Sequence, residues 1–126
     1  MKPRFILLLA FAFFLLGSCK KTEEINFTFY LEYTDSALSC KTCKLMIDGQ
    51  ENYSAQICFE GYSPNFKIYS LNIKSGSHRI KAEILEDSKI FEQTIEINDS
   101  NKFGYLTYHN SSSEFTFFLN STGGID

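Results

Sequence analysis

The chain has 126 residues, enough for one domain, and 44% of them are hydrophobic, including thirteen Phe and seven Tyr, so it is too apolar to be a disordered protein. Two of the twelve basic residues and none of the fifteen acids precede residue 19, so the remaining 108 residues carry a formal net charge of −5. This acidic balance argues against nucleic acid as a partner, because phosphate binding needs a basic face.

The N-terminal segment has the pattern of an export signal. Lys2 and Arg4 precede an apolar run of twelve residues, 5–16, which is shorter than the ~20 residues of a membrane-spanning helix. The run ends in Leu16-Gly17-Ser18-Cys19, which resembles the lipobox of bacterial lipoproteins. The resemblance implies that residues 1–18 are a cleaved signal peptide and that Cys19 carries diacylglycerol and a further acyl chain such as palmitate. The alternative is a plain secretory signal followed by an incidental cysteine.

A short charged tether follows the cysteine. Residues 19–24 hold two lysines and two glutamates. Two or three acyl chains anchor a domain durably, so we expect a membrane partner through the lipid and a cell-envelope location, in the outer membrane of a Gram-negative cell. In some Gram-negative groups a charged stretch after the lipidated cysteine directs export to the cell surface, and residues 20–24 resemble that signal. A generic solvated linker is the alternative.

From residue 25 to 120 apolar and polar residues alternate with a period of two, which is typical of half-buried strands. In the first strand the inward residues are Ile25, Phe27, Phe29, Leu31 and Tyr33. Asp48-Gly49 predicts a hairpin turn, because both residues tolerate positive φ. The spacing predicts an all-β fold, a single antiparallel sandwich of seven or eight strands, immunoglobulin-like or transthyretin-like, with a flexible tail at 121–126.

Two further features bear on the sandwich. The run Gly76-Ser77-His78-Arg79-Ile80, within residues 71–84, resembles small immunoglobulin-like modules of bacterial surface lipoproteins, in which a Gly-x-His step begins a hairpin strand. The aromatic strand at residues 115–119 would invite aggregation at an open sheet edge, so we expect it to be central.

Three cysteines remain after Cys19: Cys40, Cys43 and Cys58. In an exported chain one disulfide among them is expected, and the Asp48-Gly49 hairpin brings either Cys40 or Cys43 near Cys58. Reduced, buried thiols are one alternative. Others are redox chemistry at the Cys40-x-x-Cys43 pair, a haem attachment motif of the form CxxCK, and zinc binding; a redox thiolate usually needs a helix N-terminus, whereas this pair precedes a strand.

No catalytic set is evident. His78 alternates with apolar neighbours and is expected to be half-buried with satisfied nitrogens, and His109 ends a strand next to a serine-rich turn. Catalysis usually needs several converging polar groups, and none can be assembled here. We therefore expect no enzyme, no cofactor other than the covalent lipid, and no metal.

Surface residues suggest binding and modification. Tyr30, Tyr62, Tyr69 and Tyr108 are expected on polar faces or loops, where tyrosine can stack on sugars or anchor a protein interface; ordinary cross-strand pairing is the alternative. Asp35-Ser36-Ala37 resembles the acceptor triplet of a bacterial O-glycosylation system, which would modify Ser36.

These features favour a non-enzymatic binding or interaction module on the cell envelope, with a protein or glycan partner. The alternatives are a structural spacer, an accessory subunit of an envelope machine, an immunity lipoprotein that blocks a toxin, and a thiol-redox or metal-binding protein.

Overall fold

The computed structural model describes residues 23–121, and these residues form a sandwich of two four-stranded sheets. The predictions for residues 1–18, for Cys19 and for the tail from residue 122 onward lie outside the described residues. In chain order the strands are β1 (Glu24–Thr34), β2 (Ser39–Ile47), β3 (Gln50–Phe59), β4 (Lys67–Lys74), β5 (Gly76–Ile84), β6 (Lys89–Ile97), β7 (Phe103–His109) and β8 (Glu114–Asn120). The predicted all-β sandwich is confirmed, with eight strands.

The strand order distinguishes between the two predicted types of sandwich. One sheet has the order β4-β1-β7-β8 and the other β3-β2-β5-β6. In an immunoglobulin constant-type sandwich the first strand pairs with the second, whereas here β1 lies between β4 and β7. This order corresponds to the transthyretin-like alternative. All neighbouring strands are antiparallel except β1 and β7, which run parallel, so the sheets are not purely antiparallel as predicted.

The core lies between the sheets and follows the period-two pattern. All five predicted inward residues of β1 are buried, as are Leu45, Ile80 and Ile84 from the facing sheet. Gly104 of β7 also points inward, and a Cβ there would come within 3.1 Å of Phe27 and 3.2 Å of Phe117. The glycine therefore makes room for two core rings that larger side chains would displace.

Turn chemistry fixes the hairpins. Asp48 and Gly49 have φ of 51° and 81° and connect β2 to β3, which confirms the predicted turn. On the β3 side Asn52 is skipped in the pairing, so a one-residue bulge separates the Met46–Glu51 pair from the Leu45–Tyr53 pair. The Asn52 side chain accepts a hydrogen bond from the backbone N–H of Ile47 at 3.1 Å.

The two ends of the sandwich are distinct. At the proximal end, where β1 begins at Glu24, the backbone N–H of Ser75 donates to the Glu23 carbonyl, so ordered structure starts just inside the predicted tether. At the distal end lie the loops after β1 and β3, at residues 35–38 and 60–66. A strand of eleven residues spans about 34 Å, which separates the two ends.

The last strand differs from its prediction. β8 lies at the edge of its sheet, next to β7 only, and not in the centre. Alternation in a sequence reports which side chains face the core, but the position of a strand within a sheet depends on long-range pairing. The central position is taken by β1, which is paired on both sides.

Candidate functional site

The outward face of the β4-β1-β7-β8 sheet carries a continuous line of apolar side chains. Tyr30 of β1 is paired with Ile68 of β4 on one side and with Tyr105 of β7 on the other, and Tyr105 is paired with Phe118 of β8. We call Ile68, Tyr30, Tyr105 and Phe118 the outer-face row. It crosses all four strands, and Ile68 and Phe118 at its ends are 57% and 52% exposed.

The aromatic rings of the row stack on one another. The ring centroids of Tyr30 and Tyr105 are 4.7 Å apart, those of Tyr105 and Phe118 are 4.8 Å apart, and both ring pairs are within 8° of parallel. Phe66 lies edge-on against both Tyr30 and Tyr105. Because each inner ring face is covered by a neighbouring ring, the face of Phe118 that points off the sheet edge is left uncovered by the stack.

Tyr105 is the central member of the row and is buried although it points away from the core. Its side chain is 2% exposed, and its hydroxyl has no hydrogen-bond partner. Burial, with a smaller contribution from neighbouring Tyr30, raises the pKa of Tyr105. A buried hydroxyl without a partner is unfavourable by ~1–3 kcal/mol, so packing of the surrounding rings outweighs that penalty.

A buried carboxylate holds the neighbouring loop over this face. Glu32 is 7% exposed and also lies on β1. Its carboxylate accepts hydrogen bonds from the Ser63 hydroxyl at 3.1 Å and from the Asn65 backbone N–H at 2.9 Å. These bonds tie down the loop at residues 60–66, which presents Tyr62 to solvent and leads into Phe66.

The chemistry of this face differs from that of the opposite face. Beside the row lie uncharged hydrogen-bonded pairs, Asn26 with Asn72 and Thr28 with Ser70. On the outward face of the other sheet Lys44 pairs with Glu51 at 3.3 Å and Arg79 with Glu92 at 2.7 Å. The face with the outer-face row is therefore suited to an apolar or uncharged partner, and the opposite face to solvent.

Two of the four predicted tyrosines belong to this surface. Tyr30 lies in the row, and Tyr62 is 57% exposed on the distal loop. The predictions for Tyr69 and Tyr108 are wrong. Tyr69 packs against the core and stacks on Tyr53 at 4.5 Å, and Tyr108 is fully buried.

The period of two could have placed the misassigned tyrosines and found the missed residues. Tyr69 is in phase with Leu71 and Ile73, and Tyr108 is in phase with Leu106, all of which face the core. The sequence analysis missed the other members of the row, since cross-strand neighbours depend on strand order. Those residues are Ile68, Tyr105 and Phe118, together with Phe66.

A polar cluster closes the distal end of the sandwich. The hydroxyls of Tyr33 and Ser39 each donate to Asp35 at 2.7 Å, and these bonds, that of Ser39 foremost, lower the pKa of Asp35. Asp87 accepts from the Tyr108 hydroxyl at 2.7 Å and pairs with Lys41 at 3.0 Å. These groups satisfy one another, so the cluster stabilises the end of the fold.

Next to this cluster Ser36 is exposed. Its backbone N–H donates to the Asp35 carboxylate at 2.7 Å. The position leaves the serine hydroxyl accessible from solvent, as an acceptor for O-glycosylation would require.

The cysteines form one disulfide, as predicted. Cys40 and Cys58 are directly opposite each other on β2 and β3 and are bonded. Cys43 is a free, buried thiol, and burial raises its pKa to about 12. Residues three apart on a strand point to opposite faces, so Cys40 and Cys43 cannot act together as a redox pair. Beside the disulfide lies an open groove of about 360 Å³, bordered by Leu38 and Phe59.

Both histidines are held by hydrogen bonds. The Nδ1 of His78 lies 2.6 Å from the Asp48 carboxylate, and its Nε2 lies 2.6 Å from the Lys74 carbonyl, as the prediction of a satisfied, half-buried residue requires. His109 contacts the hydroxyls of Thr34 and Thr116. Between residues 23 and 121, no group of three or more His, Cys, Asp or Glu side chains is placed to hold a metal ion.

Within the same residues no helix is long and apolar enough to span a bilayer. No protein-family model matches the chain, and no curated protein or solved structure is significantly similar to it. The outer-face row and the adjoining loop must therefore be interpreted from their own geometry and chemistry.

Proposed function

We propose that this chain is a lipid-anchored protein of the cell envelope that works as a non-enzymatic binding module, with the outer-face row and the loop at residues 60–66 as its contact surface. The observation that carries the proposal is the row itself. Two large apolar side chains, Ile68 and Phe118, are exposed at its ends, on a face whose neighbouring pairs are uncharged. Contiguous apolar surface of this kind marks interaction sites in soluble domains.

The ring geometry favours a protein partner over a glycan. Sugars stack on the open faces of aromatic rings, but Tyr30 and Tyr105 cover each other's faces. What the row offers instead is a ridge of ring edges with apolar ends, which suits an apolar protein surface. A glycan remains the outcome to be separated by experiment.

The anchor supports this assignment of the surface. Lipidation at Cys19, expected from the lipobox, would attach the membrane five residues before the start of β1 at Glu24. The distal loops would then lie about 34 Å further from the membrane, with Tyr62 and the acceptor candidate Ser36 among them. The row, halfway along β1, would face sideways toward other proteins of the same membrane.

The anchor is tested by metabolic labelling. The full chain is expected to incorporate radiolabelled palmitate and to sediment with membranes, whereas the Cys19→Ala form should lose both properties. A Cys19→Ala protein that stays with membranes would contradict the anchor.

The surface is tested on the full lipidated chain by in-cell cross-linking and co-purification. Ile68→Ser combined with Phe118→Ser should abolish capture of the partner. Ile90→Ser is a matched control, because Ile90 is 53% exposed on the opposite face and should leave capture unchanged. Equal capture by all three proteins would contradict the proposal, and binding to a glycan array lost with the same double substitution would identify a glycan instead.

A further inference from the structure

The four sheet edges are not equally protected against pairing with another strand. β4 carries Lys67 and Lys74, β6 carries one lysine and two glutamates, and β3 has a bulge at Asn52. Charges and bulges of this kind keep edge strands from pairing with other chains. β8 has neither device along its length, because its one charge, Glu114, lies at its first residue.

The exposed end of the outer-face row lies on this same edge. Phe118 is stacked on Tyr105 through one ring face, and its other face points away from the sheet. The ring spacings along the row, 4.7 and 4.8 Å, equal the spacing of neighbouring strands in a sheet. A strand added beyond β8 would therefore place its own side chain against Phe118 at the same distance.

On this basis, and resting on the proposed binding function, we propose that β8 is a strand-addition edge: an extended segment of a partner protein pairs antiparallel with residues 114–120 and places an aromatic or aliphatic side chain on the uncovered face of Phe118. Main-chain hydrogen bonds supply affinity in this mode of recognition, and alternate side chains supply specificity. Because β8 is uncharged from Phe115 to Asn120, the central part of the partner segment is uncharged too.

A second copy of this chain fits the edge less well. Antiparallel pairing of two β8 strands would turn one sandwich end over end, so that the two proximal ends point in opposite directions. The tether between Cys19 and Glu24 spans at most about 18 Å, whereas the two ends of β1 are about 34 Å apart. Two upright copies anchored in the same membrane could not satisfy that arrangement, so a separate protein is the favoured occupant.

The test is hydrogen-exchange mass spectrometry on the full lipidated chain, compared between isolated cell membranes and detergent solution. Exchange of the backbone amides of β8 is expected to be at least tenfold slower in membranes, with exchange of β4, the opposite edge of the same sheet, unchanged. Thr116→Lys should remove the slowing, because it puts a lysine on the edge and leaves the outer-face row intact. Asn72→Lys, the same change on β4, should retain it.

Several results would overturn strand addition. Unchanged exchange in β8, slowing that survives Thr116→Lys, or equal slowing of β4 and β8 would each do so, the last because it indicates occupancy of the whole face. A benzophenone amino acid at position 118 that cross-links two copies of this chain would replace the partner protein with a homodimer. If Ile68→Ser with Phe118→Ser abolishes capture while β8 exchange never changes, the binding function stands and strand addition falls; if capture is also unaffected, both fall.

Discussion

His78 and Asp48 are joined by a contact of 2.6 Å that ties the tip of the β2–β3 hairpin to the beginning of β5. Asp48 also accepts a hydrogen bond from the backbone N–H of Arg79 at 2.9 Å. Both ring nitrogens of His78 face acceptors, so the doubly protonated, charged imidazole fits this position.

Stability is therefore expected to fall as pH rises above neutrality. Burial of the ring opposes its charge, but hydrogen bonds to Asp48 and to the Lys74 carbonyl, with the nearby charges of Asp48 and Glu96, leave the pKa of His78 raised. A raised folded-state pKa means that the stabilisation is complete below the unfolded value of about 6.5 and is lost as pH rises through the folded value. Urea denaturation between pH 5.5 and 9 measures this.

The acid side has the opposite sign. The hydrogen bond from His78 foremost, and that from the Arg79 amide, lower the pKa of Asp48. Its contribution is present above about pH 4 and is lost as pH falls through the folded value. His78→Gln should flatten the change above pH 6 and reduce stability at pH 6 by about 1–2 kcal/mol. An unaltered pH profile in that variant would contradict the assignment.

Tyr105→Phe should leave stability unchanged or raise it by up to about 1 kcal/mol. The substitution removes a buried hydroxyl that has no partner and keeps the stacked ring. Tyr108→Phe is the matched comparison, because the Tyr108 hydroxyl donates to Asp87 at 2.7 Å and its loss should cost about 1–3 kcal/mol. Chemical denaturation of the two variants measures the difference, and a Tyr105→Phe form as unstable as Tyr108→Phe would show that the Tyr105 hydroxyl is bound.

Replacing the disulfide by Cys40→Ala with Cys58→Ala should lower the free energy of unfolding by about 3 kcal/mol, since the bond closes a loop between residues 18 apart in sequence. Reducing agent should destabilise the natural chain and leave this variant unaffected. Equal denaturation midpoints with and without reductant in the natural chain would contradict the disulfide.

Cys43 should resist alkylation in the folded protein. Its side chain is 1% exposed, and burial raises its pKa to about 12, so little thiolate forms near neutral pH. Iodoacetamide at pH 8 should modify Cys43 only after denaturation, as mass spectrometry of the modified peptide would show. Rapid labelling of the native protein would restore the redox hypothesis.

Glu32→Gln should loosen the loop at residues 60–66. A neutral amide weakens the charge-assisted hydrogen bonds from Ser63 and Asn65, so we expect a loss of about 1–2 kcal/mol and faster hydrogen exchange in the loop. Glu60→Gln is the control, because Glu60 is exposed and its variant should exchange as the natural chain does. Unchanged loop exchange in Glu32→Gln would show that Phe66 alone holds the loop.

The cysteines show how far the sequence reaches. Asp48-Gly49 correctly predicts a hairpin that brings Cys58 near β2, but simple counting outward from the turn places Ser39 opposite Cys58. The bulge at Asn52 shifts the register by one residue and puts Cys40 there instead. A bulge inside a polar stretch leaves little signal in the pattern, so the sequence could not choose between Cys40 and Cys43.

The candidate site was predicted only in part for a related reason. Tyr30 is on the polar side of an alternating strand and was identified from the pattern. Its stacking on Tyr105, and the continuation to Phe118, depend on the parallel pairing of β1 with β7. Residues more than seventy positions apart in the chain become neighbours only through that topology, which period-two alternation does not encode.

The central position of β1 also has a mechanical consequence. Glu24 and the residues after it are hydrogen-bonded to β4, and from Thr28 onward β1 is bonded to β7 as well. A pull directed along β1 from its N-terminal end would load these ladders in shear, so that many bonds share the force at once instead of opening one after another. A hauling membrane would therefore meet its greatest resistance in the strand to which the tether is joined.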